Sequence, residues 1–132
     1  MNRIEFYTKF PPTINSYYTK TRNGVFIGKA GNAYTADTIK SIMDCVGPMT
    51  IDQQVSMTVV LYPPDNRKRD VDNYMKPLLD SITKSGLWMD DSLVDQLLIY
   101  RGSVVKGGKV WVRLDESIGL ILDSDIYREN IE

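Results

Sequence analysis

The chain has 132 residues, 42% hydrophobic and 25% charged, with a net charge of −1, one cysteine and no histidine. That composition suits one globular domain with a single buried core and excludes a disordered or fibrous chain. Without histidine there is no imidazole base for a serine or cysteine triad and no ordinary zinc site, so any hydrolysis must rely on carboxylates, lysines or metal-bound water.

The lone Cys45 can close no intramolecular disulfide and is expected as a buried core thiol. No apolar stretch approaches the roughly 20 residues of a membrane span, and the N-terminal MNRIEFYTKF lacks the apolar run of a signal peptide, so the expected location is cytoplasmic, with no membrane partner. Charge is unevenly distributed. Residues 1–114 carry 15 Lys and Arg against 11 Asp and Glu, whereas residues 115–132 carry 1 against 6. A basic body can meet phosphate, and an acidic tail most often only solubilises.

In chain order, Ile4 and Phe6 alternate with polar neighbours, which predicts a short strand over Arg3–Tyr7, ended by Pro11-Pro12. A loop is expected next. From about Asn32, Tyr34, Ala36, Ile39, Ile42, Met43 and Val46 recur at helical spacing, with Gly47-Pro48 as the stop. Val55, Met57, Val59 and Leu61 then alternate with Ser56, Thr58, Val60 and Tyr62, predicting a strand with one strongly apolar face.

A second helix is indicated by Met75, Leu78, Leu79 and Ile82, with Asp72 or Asn73 as its cap and Gly86 as its terminator. Pro77 requires the regular part to begin near it or to kink there. Leu97–Val105 and Val110–Leu114 flank Lys106-Gly107-Gly108-Lys109 and are expected as a hairpin. The order of elements predicts a mixed α/β (α+β) fold: a single domain with one mixed sheet packed by two main helices. The expected division is a domain over 1–114 and an acidic C-terminal extension over 115–132.

The chemistry gathers around two acidic pairs. Asp70 and Asp72, if extended, project to the same side, and hard divalent cations such as magnesium take oxygen ligands of this type. Asp90-Asp91 brings further carboxylate after the second helix. An Asp-x-Asp alone is more often a turn or cap, and Arg67-Lys68-Arg69 alone is more often a solvated run or salt-bridge partner than a phosphate clamp. Their adjacency is what points to a polyanion drawn against a metal. Lys76 lies four residues from both Asp72 and Asp80, so it is either an exposed helical ion pair or a cation facing a phosphate. Tyr17 and Tyr18, near Lys20, Arg22 and Lys29, either stack on unpaired bases or pack against the sheet. Trp88 and Trp111 are expected in the core or at a dimer contact.

The run Arg69-Asp70-Val71-Asp72-Asn73-Tyr74-Met75-Lys76, continuing through Leu79-Asp80 to Gly86-Leu87-Trp88-Met89-Asp90-Asp91, resembles the signature of the RusA family of Holliday-junction resolvases. Pro11-Pro12-Thr13-Ile14-Asn15-Ser16-Tyr17-Tyr18 is similar to that family's Pro-Pro-x-x-Asn-x-x-Tyr segment, and Lys106-Gly107-Gly108 to its C-terminal hairpin. The resemblance covers roughly residues 5–114 in consistent order, and nothing in it matches the chain beyond Leu114.

The resemblance implies a homodimeric endonuclease that binds four-way DNA junctions and cuts two opposed strands with magnesium or manganese, in DNA recombination and repair. Carried over by position, Asp70, Asp72 and Asp91 would be catalytic metal ligands, with Asp90 as the rival of Asp91, and Lys76 a catalytic lysine. Arg67, Lys68, Arg69, Asn15, Tyr17 and Lys20 would be DNA contacts. Two other readings stay open: a less selective branched-DNA nuclease, and a non-catalytic DNA-binding module. The intact acidic set argues against the module, since carboxylates beside phosphate do nothing for a plain binder.

Overall fold

A computed structural model describes residues 1–117. In chain order it contains β1 (Ile4–Thr8), α1 (Ile14–Tyr17), β2 (Tyr18–Thr21), β3 (Gly24–Ile27), α2 (Lys29–Cys45), β4 (Val55–Tyr62), α3 (Met75–Ser85), β5 (Val94–Arg101) and β6 (Lys109–Glu116). Short 3₁₀ turns at Val71–Tyr74 and Asp91–Leu93 bracket α3.

The strict alternation of β4 does what the sequence predicts. Val55, Met57, Val59 and Leu61 are buried, and the residues between them are only partly so. β4 pairs antiparallel with β6 and parallel with β5, and β1 closes the far edge, giving the order β1-β6-β4-β5. The inner face joins Ile4, Phe6, Val112 and Leu114 to Ile42 of α2 and to Met75, Leu78 and Ile82 of α3 in one apolar cluster. Each such fully buried aliphatic contributes roughly 1.5–3 kcal/mol. One mixed sheet packed by two main helices is therefore the architecture, as expected.

The opposite face of the sheet is different. By register, Tyr7, Trp111, Val60 and Tyr100 form a row across all four strands, and Tyr7 and Tyr100 are about half exposed. Trp111 thus lies outside the core. Trp88 lies within it, fully buried, with its indole N–H donating to Thr83 Oγ1 at 2.7 Å.

Several expectations are corrected. β5 and β6 do not form a hairpin, because β4 lies between them. Gly107 and Gly108 do supply the positive φ of a tight turn, but residues 102–105 first cross the end of β4. Gly102 N–H donates to Leu61 O and Val105 N–H to Pro63 O. The segment after Thr13 is also not a plain loop: β2 and β3 form a small separate sheet with Arg22-Asn23 between the paired Thr21 and Gly24. Asn23-Gly24 was the available hairpin signal.

α2 begins at Lys29, earlier than the periodicity suggested. Gly31 lets it approach α1 so closely that a Cβ there would stand 2.4 Å from Tyr17 O. Neither Asp72 nor Asn73 caps α3; Tyr74 stands at its N-cap without a side-chain bond. Pro77 falls in the first turn, where its missing N–H costs nothing, and Gly86 ends the helix in the left-handed conformation. Cys45 is exposed, not a core thiol, because it ends α2 on the solvent side. β6 runs on through Asp115, which pairs with Arg3 and Arg113, so the strand continues past residue 114. The rest of the expected acidic extension, 118–132, lies outside the described residues. Among the described residues no helix is long and apolar enough to cross a membrane.

Candidate active site

β4, α3 and β5 form a parallel crossover unit, and the sequence-predicted acidic residues sit on the two connections of that unit. After β4 the chain turns at Asp65. Its carboxylate accepts from Arg67 through Nε and Nη2, the latter at 2.8 Å, from the Arg67 backbone N–H at 3.0 Å, and from Arg69 Nη1 at 2.8 Å. The Arg67 and Arg69 guanidiniums hold the Asp65 carboxyl far below the usual carboxylate range. Arg69 is mostly buried, and its guanidinium also lies 5.7 Å from the centre of the Phe10 ring. Of the Arg67-Lys68-Arg69 run, two cations are therefore committed to Asp65. Lys68 is exposed.

This clamp delivers the chain to Asp70, which is extended and heads the 3₁₀ turn; Asp72 lies within that turn. The same-side argument for an extended Asp-x-Asp therefore does not hold, since only Asp70 is extended. Both are exposed. On the other side of Asp70, Arg101 of β5 donates to the backbone carbonyl oxygen of Arg69.

Lys76 projects from the first turn of α3, with Nζ 3.5 Å from Asp80 Oδ2 and 5.9 Å from the centre of the Tyr18 ring. Asp80 was noted in the sequence only as a partner for Lys76. Burial, and then the neighbouring Asp91 carboxylate, push its pKa up, and Lys84 opposes them. That coupling ties Asp91 to α3. Asp91 is partly buried and opens the second 3₁₀ turn, whereas Asp90 is exposed.

The expected convergence of Asp70, Asp72 and Asp91 is not assembled here. Among the described residues no three acidic, cysteine or histidine side chains lie close enough to hold a metal ion. Asp70 is held near the C-terminal end of β5 through Arg69 and Arg101, while Asp91 precedes its N-terminal end. The donors are hard carboxylate oxygens, which suit magnesium or manganese bound by one or two carboxylates with water and phosphate completing the shell. They fit such a cation in chemistry without forming a closed cage.

The N-terminal DNA-contact residues divide. Tyr17 is fully buried, its hydroxyl hydrogen-bonded with Thr35 Oγ1 at 2.8 Å and Ser81 Oγ at 3.3 Å, so it has no face to offer a base. This corrects its expected role as a DNA contact. Tyr18 takes its place at the surface. It lines an open groove of about 420 Å³ together with Ile14, Asn15, Lys20, Val25 and Lys76.

The family model for endodeoxyribonuclease RusA matches residues 9–115. A relative from Enterobacteria phage HK97, named crossover junction endodeoxyribonuclease rusA, is 30% identical over 116 residues, covering 88% of this chain and 97% of its own length. The Shigella sonnei (strain Ss046) protein of the same name is 30% identical, and that of Escherichia coli (strain K12) 29%, with the same coverage of both chains. The matched span takes in both acidic connections, the Asp65 clamp and the β2–β3 hairpin, and the chain belongs to the RusA endodeoxyribonuclease family.

Proposed function

We propose that the protein is a Holliday-junction resolvase, a metal-dependent endonuclease that hydrolyses two phosphodiester bonds symmetrically across a four-way DNA junction. The observation that carries this is the contact of Lys76 with Asp80, which itself neighbours Asp91, in a chain whose relatives are named crossover junction endodeoxyribonucleases.

Asp70, Asp72 and Asp91 would hold magnesium or manganese; the electrostatic tie between Asp91 and Asp80 favours Asp91 over Asp90. When bound, such a cation supplies Lewis-acid polarisation of the phosphate and a more acidic water. Lys76, exposed at the first turn of α3, stabilises the extra negative charge that gathers on the phosphate oxygens as the bond breaks. Asp80 keeps that ammonium on the acidic side of α3. Lys68 and Lys20 contact the backbone of the DNA, Asn15 contacts the DNA beside Lys20, and Arg67 and Arg69 set the shape of the loop that meets it.

Two symmetric cuts require two active sites, which a two-fold homodimer provides. The row Tyr7, Trp111, Val60 and Tyr100 on the open face of the sheet supports self-association. The action on DNA implied by the relatives' names favours the cytoplasm as the place of this reaction. The test compares wild-type protein with Asp70→Asn on a labelled junction, with magnesium and with chelator. The variant is expected to lose cleavage while still binding the junction, because removing a carboxylate relieves repulsion of phosphate. Cleavage by Asp70→Asn at the wild-type rate would overturn the assignment.

A further inference from the structure

The groove beside Lys76 has a composition that the strand-cutting chemistry does not require. Ile14 and Val25 give it apolar walls, Tyr18 an aromatic one, Asn15 an amide able to donate and accept, and Lys20 and Lys76 two cations. Among the described residues no carboxylate lines it. Its volume of about 420 Å³ lies within the roughly 300–1,000 Å³ of small-ligand sites.

The aromatic wall is fixed from behind. Tyr18 meets the edge of the Tyr17 ring at 4.8 Å between centroids, and Tyr17 is pinned by the buried Thr35 and Ser81 hydroxyls. The aromatic wall continues along the β2–β3 hairpin. By register Tyr18, Lys20 and Val25 lie on one side of it, and its base is tied down where Gly28 N–H donates to Tyr17 O at 2.9 Å. A ring already held in place loses little freedom when a flat ligand stacks on it.

We propose that this groove is a subsite for one unpaired nucleotide of the branched DNA, stacked against Tyr18 with its phosphate between Lys20 and Lys76. The inference rests on the resolvase reading and deepens it. A base within a duplex has both faces stacked and its pairing edge occupied, so it cannot enter without being extruded; a nucleotide at a strand crossover is already loosened. Stacking on an aromatic ring tolerates any base, and the Asn15 amide can read its edge. Because Lys76 both lines the groove and reaches Asp80 of α3, occupancy of the groove holds the adjoining phosphate at the lysine assigned to catalysis. Selectivity for branched DNA then follows from the need to fill the groove.

The test is a thermodynamic cycle between protein and DNA, measured as binding by the full-length protein in chelator. Abasic sites are placed one at a time at each position within three nucleotides of the crossover. At one position the abasic change is expected to weaken wild-type binding about fivefold or more, the effect of one lost base stack. Tyr18→Leu should bind the intact junction correspondingly worse and be indifferent to that abasic change. Val25→Trp, at an exposed strand position that tolerates an aromatic side chain, fills the groove and should show the same indifference, which guards against a folding defect at Tyr18. Losses that simply add at every position, in both variants, would overturn the proposal. If intact junction is bound no better than linear duplex, the resolvase reading fails. The same cycle on a single-stranded oligonucleotide then decides the groove alone: coupling with Tyr18 supports it and additivity refutes it.

Discussion

The guanidinium of Arg101, at the end of β5, donates a hydrogen bond to the backbone carbonyl oxygen of Arg69, the residue that precedes Asp70. The same peptide is held from the other side by the Arg69 side chain on Asp65 and against Phe10. The backbone that leads into Asp70 is thereby fixed on two sides.

Arg101→Met should therefore lower the single-turnover cleavage rate by about 10- to 100-fold, the cost of misplacing a reacting group by around 1 Å. Junction affinity in chelator should change little, and Arg101→Lys should recover part of the rate. A parallel loss of binding, with a shallower salt dependence, would instead make Arg101 a phosphate contact.

Asp65→Asn releases two cations while loosening the approach to Asp70. Junction binding should strengthen at low salt and show a steeper salt dependence, while cleavage falls. Measured affinity between 50 and 200 mM salt, in the range where counterion release is resolved, checks the first part.

Asp65 and Asp80 should show opposite pH dependences of stability. The Asp65 pKa is depressed in the folded protein, so its contribution is present above its unfolded value and disappears as pH falls below about 4. Its open, solvent-reached position makes that contribution small and salt-sensitive. The Asp80 pKa is raised by burial and then by the Asp91 carboxylate, which Lys84 only partly offsets. Its penalty is absent at low pH and appears as pH rises through the folded value. Asp80→Asn should thus melt progressively higher than wild type as pH increases above about 4, and Asp65→Asn progressively lower.

Tyr17→Phe leaves Thr35 and Ser81 to satisfy each other at 3.2 Å, so the loss should be modest, about 1–2 kcal/mol in urea unfolding. Leu78→Ala, in the fully buried face of α3, should cost more, about 2–5 kcal/mol. A Tyr17→Phe loss as large as that of Leu78→Ala would show that the hydroxyl network is essential to the packing of α1 on α2 and α3.

The periodic elements were legible because burial acts through a repeating pattern. β4 alternates over eight residues, and α3 carries Met75, Leu78 and Ile82 on one face with a glycine stop. Pairing was not legible. Gly107-Gly108 marks a turn, but only the packed sheet reveals that β4 separates the strands on either side. Tyr17 and Tyr18 are adjacent and chemically alike, yet one is sealed by α2 and α3 and the other faces the groove. Asp65 is not legible as a clamp for the same reason: the cationic run suggests a salt bridge, but nothing in its pattern names Asp65 as the partner of both Arg67 and Arg69. Asp70, Asp72 and Asp91 were found by motif, and their placement on separate connections follows from the crossover topology.

The central claim is tested most directly by mapping cuts on a four-way junction with each of its four strands labelled in turn, with magnesium and with linear duplex of the same sequence alongside. The expected result is one cut on each of two opposed strands, at equal distances from the crossover, with the duplex intact and no cutting in chelator. Equal cutting of the duplex, or an intact junction with both magnesium and manganese, would contradict it.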